Sequence, residues 1–419
     1  MLQGHAYGCP AGSGHLIYRW ASPVNPSVPT MSDSLSSLQS ETEEVGGLVV
    51  PHVALRQFGS SSSAGVPRGL SLSVSMADTD LDLPMGGVSP SDKRFHVPVH
   101  DFRRYIAEVL EPVNEICCDG YDEEMDELQR RCVTANLKQL VYPRSSKLTK
   151  KNRYMNILPY AHTRVVLDQL KQDADSDYIN ANFVKADVVG STTTYISTQA
   201  PVPNSVQDFW RMVWEHKSTL VVMLTPLKEK ETVKVKSDIY WPKKVDKCKE
   251  FSNGISVRMT AEAHTGDIVT RMFEVFATAN PNDVRVVHQI QYIAWPDHNV
   301  PVSFDSYLAM LDAYRTVRDR SSGPVIVHCS AGVGRTGTFI GIDIAVDHLG
   351  HIIRSGTPMD TVCIVDMVYS MRTQRPGMVQ TKTQYRFMYE FLGFCIEHGH
   401  FGLRVAALTT PSPVRVPIN

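Results

Sequence analysis

The sequence predicts an α/β protein: a single large domain on a central, highly twisted mixed sheet flanked by helices, preceded by a disordered N-terminal segment. Three observations carry this reading. Between about residues 96 and 400, segments of period-two alternation rich in Val, Ile, Tyr and Phe are interleaved with segments of helical period. Residues 1–95 hold "SDSLSSLQSE", the run Ser60 to Ser63 and scattered Gly and Pro, a low-complexity composition that buries too little apolar surface to offset ordering. The tail 401–419 closes on "TTPSPVRVPIN", which is Pro-containing and reads as extended.

Within the domain the elements follow in order. "VHDFRRYIAEVLEPV" and "DEEMDELQRRCVTANLKQLV" read as amphipathic helices at the front. "YINANFV", "TTTYISTQA", "TLVVML", "TRMFEVFAT" and "VRVVHQIQYIAW" read as strands. Helices are expected at "SVQDFWRMVWEHK", "SFDSYLAMLDAYRTVRD", "GTFIGIDIAVDHLG", "DTVCIVDMVYSMRTQ" and "TQYRFMYEFLGFCIE". No internal repeat is visible.

Composition bounds the function. The 419 residues are 42% hydrophobic and 21% charged, and 42 Lys plus Arg against 44 Asp plus Glu leave a net charge of -2. That balance offers no general attraction to nucleic acid, so any phosphate recognition must be local. No run of roughly 18 apolar residues exists to span a membrane, and the first residues lack the basic start and apolar stretch of a secretory signal. The eight cysteines are scattered, which suits free thiols in a reducing, cytoplasmic setting. The tight pair Cys117–Cys118 lacks the companion spacing of a zinc site, so no metal is expected there.

The segment "PVIVHCSAGVGRTGTFIGIDI" concentrates the chemistry. Pro324 to Val327 reads as a short buried strand, and a helical pattern resumes from Phe339. Between Cys329 and Arg335 stand Ser330, Ala331, Gly332, Val333 and Gly334, all small except Val333. A backbone so lightly decorated can curl until successive N–H groups face one centre, an anion nest at a helix N-terminus. Gly332 and Gly334 are expected to supply the unusual dihedrals of that curl. Arg335 would close the ring with a planar fork that grips two phosphate oxygens. The same positive surroundings should hold the Cys329 thiol below its free value of about 8.5, giving a nucleophilic thiolate. His328 and the Thr336 hydroxyl are placed to order the loop and tune the sulfur.

A departing aryl or alkyl oxygen needs a proton, since the free phenol titrates near about 10. Asp297, in "YIAWPDHNVP", stands on a loop bracketed by Pro296 and Pro301. From such a loop it can protonate the leaving group, then act as base toward the water that hydrolyses a phosphocysteine.

At this point the sequence resembles the tyrosine-specific, cysteine-dependent protein tyrosine phosphatases, from about residue 100 to 398. "KNRYMNILPYAHTRVVL" looks like their substrate-recognition loop, "DYINANFV" and "YISTQAPVPNSVQDFWRMVW" like their central body, and "VMLTPLKEKETVKVKSDIYWP" like their acidic and basic loop. "WPDH", "HCSAGVGRTG" and "QRPGMVQTKTQYRFMYE" match the acid, nucleophile and glutamine-bearing loops. The resemblance implies that Tyr154 walls a deep slot and stacks on the substrate ring, and that Asn156 bonds the peptide backbone. It also implies that Gln380 positions water, supported by Gln384. Lys234 or Lys236, and Glu229 or Glu231, remain alternative counterparts in the acidic and basic loop. Departures from the pattern are Asn299 and Ala200 where glycines are usual, and Ala161 where Asp is usual.

The expectation is therefore a monomeric, non-receptor, cytoplasmic phosphatase acting on phosphotyrosine-containing proteins without a cofactor. A dual-specificity or lipid phosphatase shares the Cys and Arg spacing, but "KNRY" and the long helical front weigh against it. A non-catalytic phosphotyrosine-binding module is opposed by Cys329, Arg335, Asp297 and Gln380 together.

Overall fold

The structure, a computed structural model, describes residues 93–112, 118–135, 137, 139–228, 235–296, 299–356 and 361–404. Asp297, Glu229, Glu231, Lys234 and Cys117 lie outside the described residues, as do nearly all of the 1–95 extension and the tail beyond 404.

Among the described residues a nine-stranded sheet organises the domain. Its strands are β2 (Arg164–Val166), β3 (Tyr178–Lys185), β4 (Thr194–Thr198), β5 (Leu220–Met223), β6 (Cys248–Glu250), β7 (Ile255–Thr265), β8 (Ile268–Ala277), β9 (Asn280–Tyr292) and β10 (Val325–His328), in the order β2-β3-β4-β10-β5-β9-β8-β7-β6. β4, β10, β5 and β9 run parallel, and the flanking pairs are antiparallel. A second small sheet pairs β1 (Val97–Pro98) with β11 (Thr361–Val362). The mixed α/β class expected from the alternating periods is what forms.

β10 sits between two parallel neighbours with both faces covered, which is why it reads as an unbroken apolar run. Val325 and Val327 enter a core with α5 (Phe304–Arg318), α6 (Gly334–Ser355) and α8 (Lys382–His398). Ile326 enters the opposite core, against α4 (Val206–Glu215). Such a strand delivers its last residues at the carboxyl end of the parallel strands, the place where open α/β sheets build sites.

Sequence and structure differ at the front and in the sheet. The first helix is α-helical only over α1 (Phe102–Tyr105) and widens into a π turn at Ile106–Leu110. Its buried positions Phe102, Ile106 and Leu110 recur every fourth residue, and a wider turn keeps them on one face where a 3.6-residue turn would drift. The second helix, α2 (Gly120–Thr134), stops short of the apolar Leu140 and Val141. There the backbone instead pairs with another segment, Leu140 bridging Tyr160 and the Val141 N–H bonding the Pro159 carbonyl. β7 escaped the strand reading, because only Ile255, Val257 and Met259 of it are buried apolar positions and its polar second half is mostly exposed. Two further helices complete the domain, the single turn α3 (Ser146–Thr149) and α7 (Ile364–Gln374). No helix among the described residues is long and apolar enough to cross a membrane.

Candidate active site

The cysteine loop spans the junction of β10 and α6. α6 begins at Gly334 with no side-chain cap, so the first N–H groups of the helix carry no capping side chain. The carbonyls that precede them are all turned outward and held there. Cys329 O accepts from His328 Nδ1 at 3.0 Å, and Ser330 O accepts from the Ala200 N–H at 2.9 Å. Ala331 O accepts from Arg375 Nη2 at 3.1 Å. Gly332 O accepts from Arg375 Nε at 2.7 Å and Ser197 Oγ at 2.9 Å. With four successive carbonyls engaged elsewhere, the Gly332 N–H donates to Cys329 Sγ at 3.3 Å.

The two glycines serve different ends. Gly332 has φ +71°, and a Cβ there would lie 2.0 Å from Thr198 O, so both the backbone and the space demand glycine. Gly334 is an ordinary first residue of α6. Its need is room, since a Cβ would meet the Gln384 amide at 3.0 Å and Gln380 Oε1 at 3.1 Å. The expectation of unusual dihedrals at both positions is corrected for Gly334.

Cys329 is buried, and burial alone would push its thiol up. The Arg335 guanidinium, the Thr336 hydroxyl and the N–H groups of Thr336 and Gly332 outweigh that and hold the thiol below its ordinary range. The Thr336 hydroxyl is buried and makes no regular hydrogen bond of its own, which leaves it available to the sulfur. Arg335, also buried, donates from Nη1 to Thr225 Oγ1 and to the Trp295 carbonyl, both at 3.0 Å. Burial holds the His328 imidazole down at about 4, so it is neutral at physiological pH. Its Nδ1 faces the Cys329 carbonyl and must carry the proton, and its Nε2 then accepts from Tyr240 Oη at 2.8 Å.

Of the remaining expected residues, Tyr154, Gln380 and Gln384 lie against this loop. Tyr154 Oη lies 3.0 Å from Ser330 Oγ; because Ser330 Oγ donates to Lys236 O at 2.9 Å, the tyrosine is the donor. Tyr154 is half-buried and Asn156 exposed. Gln380 is exposed with its carbonyl against Gly334, while Gln384 is buried and accepts the Gln380 N–H at 3.1 Å and the Thr381 N–H at 3.3 Å. Gln384 thus braces the backbone of Gln380 and completes the capping box of α8. Ala200 has its N–H on the loop and its carbonyl accepting Arg153 Nε at 3.1 Å. Ala161 is exposed, its N–H on Gln139 O at 2.8 Å.

Sequence reasoning missed Arg375, Ser197, Thr225 and Tyr240. Arg375 is fully buried, and burial pulls it down to about 10, so it stays charged at neutral pH. Its position inside "QRPGMVQ" was the available signal. A metal-type cluster, His96, Cys363 and Asp366, has ligand atoms within 4.8 Å of one another at the opposite end of α7 from Arg375. There Asp366 already accepts Arg131 Nη1 at 2.6 Å.

A family model described as protein-tyrosine phosphatase matches residues 148–393. Receptor-type tyrosine-protein phosphatase S of Gallus gallus is 40% identical over 242 residues, 58% of this chain and 15% of that protein. Receptor-type tyrosine-protein phosphatase F of Homo sapiens is 40% identical over 250 residues, 60% of this chain and 12% of that protein. Tyrosine-protein phosphatase non-receptor type 18 of Mus musculus is 38% identical over 242 residues, 58% of this chain and 51% of that protein. The chain therefore spans at most about half the length of these relatives.

Proposed function

This chain belongs to the protein-tyrosine phosphatase family, and from that premise we propose that it hydrolyses phosphotyrosine in proteins through a phosphocysteine intermediate. The observation that carries the proposal is Cys329 Sγ held by the N–H groups of Gly332 and Thr336 with the buried Arg335 beside it, which keeps the thiol below its ordinary range. Phosphate oxygens take the amides and the Arg335 fork, which aligns phosphorus with the sulfur. The Cys329 thiolate forms the S–P bond as the P–O bond to the tyrosyl oxygen breaks, and Asp297 gives that oxygen its proton. Water held by Gln380 then attacks phosphorus, Asp297 takes the water's proton, and the S–P bond breaks to return the thiolate, eased by Thr336. His328 and Ser330 keep the loop in shape. Ala331, Gly332, Val333 and Gly334 present their amides to the phosphate.

Substrate choice follows from depth. Tyr154 and Asn156 at the mouth of the slot favour a long aryl phosphate, because a phosphoserine is too short to reach the sulfur. The reaction uses only side chains of one chain and water, which fits a monomer. The six described cysteines form no disulfide with one another, which supports a reducing, cytoplasmic setting.

The test is hydrolysis of a phosphotyrosine peptide in the presence of a chelator. Turnover should vanish in Cys329→Ser, and undiminished turnover in that variant would refute the proposal. Asp297→Ala should bind the peptide yet turn over slowly; an unchanged rate removes Asp297 from its role.

A further inference from the structure

Behind the cysteine loop lies a buried polar chain that the reaction as described does not use. Arg271 on β8 stands directly opposite Gln289 on β9 and opposite Glu262 on β7. Arg271 Nη1 donates to Gln289 Oε1 and to Gln291 Oε1, both at 2.8 Å, while Nε donates to Glu262 Oε2 at 2.5 Å. Gln289 and Gln291 are two residues apart on one strand and share a face. From there two branches leave. Gln289 Nε2 donates to Tyr240 Oη at 2.6 Å, and Tyr240 meets His328, which meets the Cys329 carbonyl. Gln291 Nε2 donates to Thr225 O at 3.0 Å, and Thr225 Oγ1 receives Arg335 Nη1.

The direction of every bond in the first branch follows from its root. A guanidinium only donates and does not lose its proton, so it fixes the carbonyl end of each glutamine toward itself. The Gln289 amide must then offer N–H to Tyr240, whose own proton goes to His328 Nε2. The His328 proton is left on Nδ1, where it pins the Cys329 carbonyl outward. We propose that Arg271, through Gln289 and Gln291, is a positioning residue for both halves of the phosphate site, setting the His328 tautomer and thiolate on one branch and the seat of Arg335 on the other. This rests on the proposed role of Cys329 as nucleophile. The charged and titratable groups around the sulfur and His328 are Arg335, Arg375, Arg153, Lys236, Tyr154 and Tyr240. Tyr240, through Gln289, connects them to Arg271 along the first branch.

The experiment uses the full chain and two readouts besides turnover: the pH midpoint of Cys329 alkylation by iodoacetate, and competitive inhibition by inorganic phosphate. In Gln289→Glu the new carboxylate accepts the Tyr240 proton, which places a proton on His328 Nε2 and adds negative charge behind the sulfur. The alkylation midpoint should rise by about one unit, a tenfold loss of thiolate below the midpoint, and nitrogen NMR of labelled histidine should show Nε2 protonated. In Gln291→Leu phosphate inhibition should weaken about tenfold, near the worth of one hydrogen bond to a charged group, and the midpoint should rise less than in Gln289→Glu, because Arg335 is loosened while His328 keeps its proton on Nδ1. A general loss of packing would move both readouts to the same extent in both variants and leave the His328 proton on Nδ1 in Gln289→Glu. That result, or both readouts within twofold of wild type, overturns the inference. Should Gln289→Glu fail to fold, Gln291→Leu and its phosphate inhibition decide alone. A wild-type Cys329 that alkylates as an ordinary thiol would instead sink the proposed function.

Discussion

Arg335 Nη1 and the carbonyl of Trp295 lie 3.0 Å apart, so the residue expected to grip phosphate is tied to the segment that leads into Asp297. The Trp295 indole is buried against Tyr307 and Phe387, and its Nε1 donates to Asn299 O at 2.8 Å. One residue therefore anchors the chain on both sides of Asp297, the expected acid. Trp295→Phe keeps a buried ring but deletes the bond to Asn299. Steady-state kinetics on a phosphotyrosine peptide should show kcat reduced about fivefold, the worth of one hydrogen bond, with KM nearly unchanged. Equal changes in both constants would mean that this bond does not position the acid.

Gly332 is the strictest position in the loop. Its φ of +71°, and the 2.0 Å at which an added Cβ would meet Thr198 O, mean that Gly332→Ala must displace backbone. The amide of Gly332 is one of those facing the sulfur, so the displacement dismantles the ring. Turnover should fall by about two orders of magnitude or more, as when a preorganised oxyanion donor is lost, and vanadate should no longer inhibit. Retained vanadate affinity would show that the ring tolerates the shift.

How much of this was legible beforehand divides along one line. Cys329, Arg335, Thr336 and the strand before them could be read because their chemistry is local, packed into one short segment between a buried strand and a helix. Arg375 could not, since its part is to hold the carbonyls of Gly332 and Ala331 from far along the chain. Tyr240 and Thr225 act the same way, through contacts with partners remote in sequence. Gly334 was read as a dihedral requirement because sequence shows a missing side chain but not the Gln384 amide that fills its place. The shortened second helix has the same origin, a bridge from Leu140 to Tyr160 overriding helical periodicity.

Arg375 therefore offers a test of support from outside the loop. Arg375→Met leaves the carbonyls of Ala331 and the side-chain oxygens of Asn180 and Asn182 without this donor. Buried acceptors abandoned in this way cost about 1–3 kcal/mol each before relaxation. Urea unfolding should show a loss of about 3 kcal/mol, and the Cys329 alkylation midpoint should rise as the freed carbonyls turn inward. Arg375→Lys should not rescue the midpoint, because a single ammonium cannot reach the several acceptors that the fork spans. A full rescue by lysine would reduce the role of Arg375 to its charge.

His328 makes the stability of the fold depend on pH in a predictable sense. Burial holds its imidazole at about 4 in the folded chain, against about 6.5 when unfolded. Between these values the unfolded chain binds a proton that the folded chain refuses, so stability rises with pH across that window. The contribution is full above about 6.5, shrinks as pH falls, and is gone below about 4; at most it amounts to about 3 kcal/mol. Denaturant unfolding of wild type should lose stability from pH 7 to 4.5, and His328→Gln should flatten that part of the curve. In wild type the His328 ring signals should also stay put down to pH 5, since nothing titrates there. A ring that titrates near 6.5 would mean that Tyr240 and the Cys329 carbonyl do not fix a neutral imidazole.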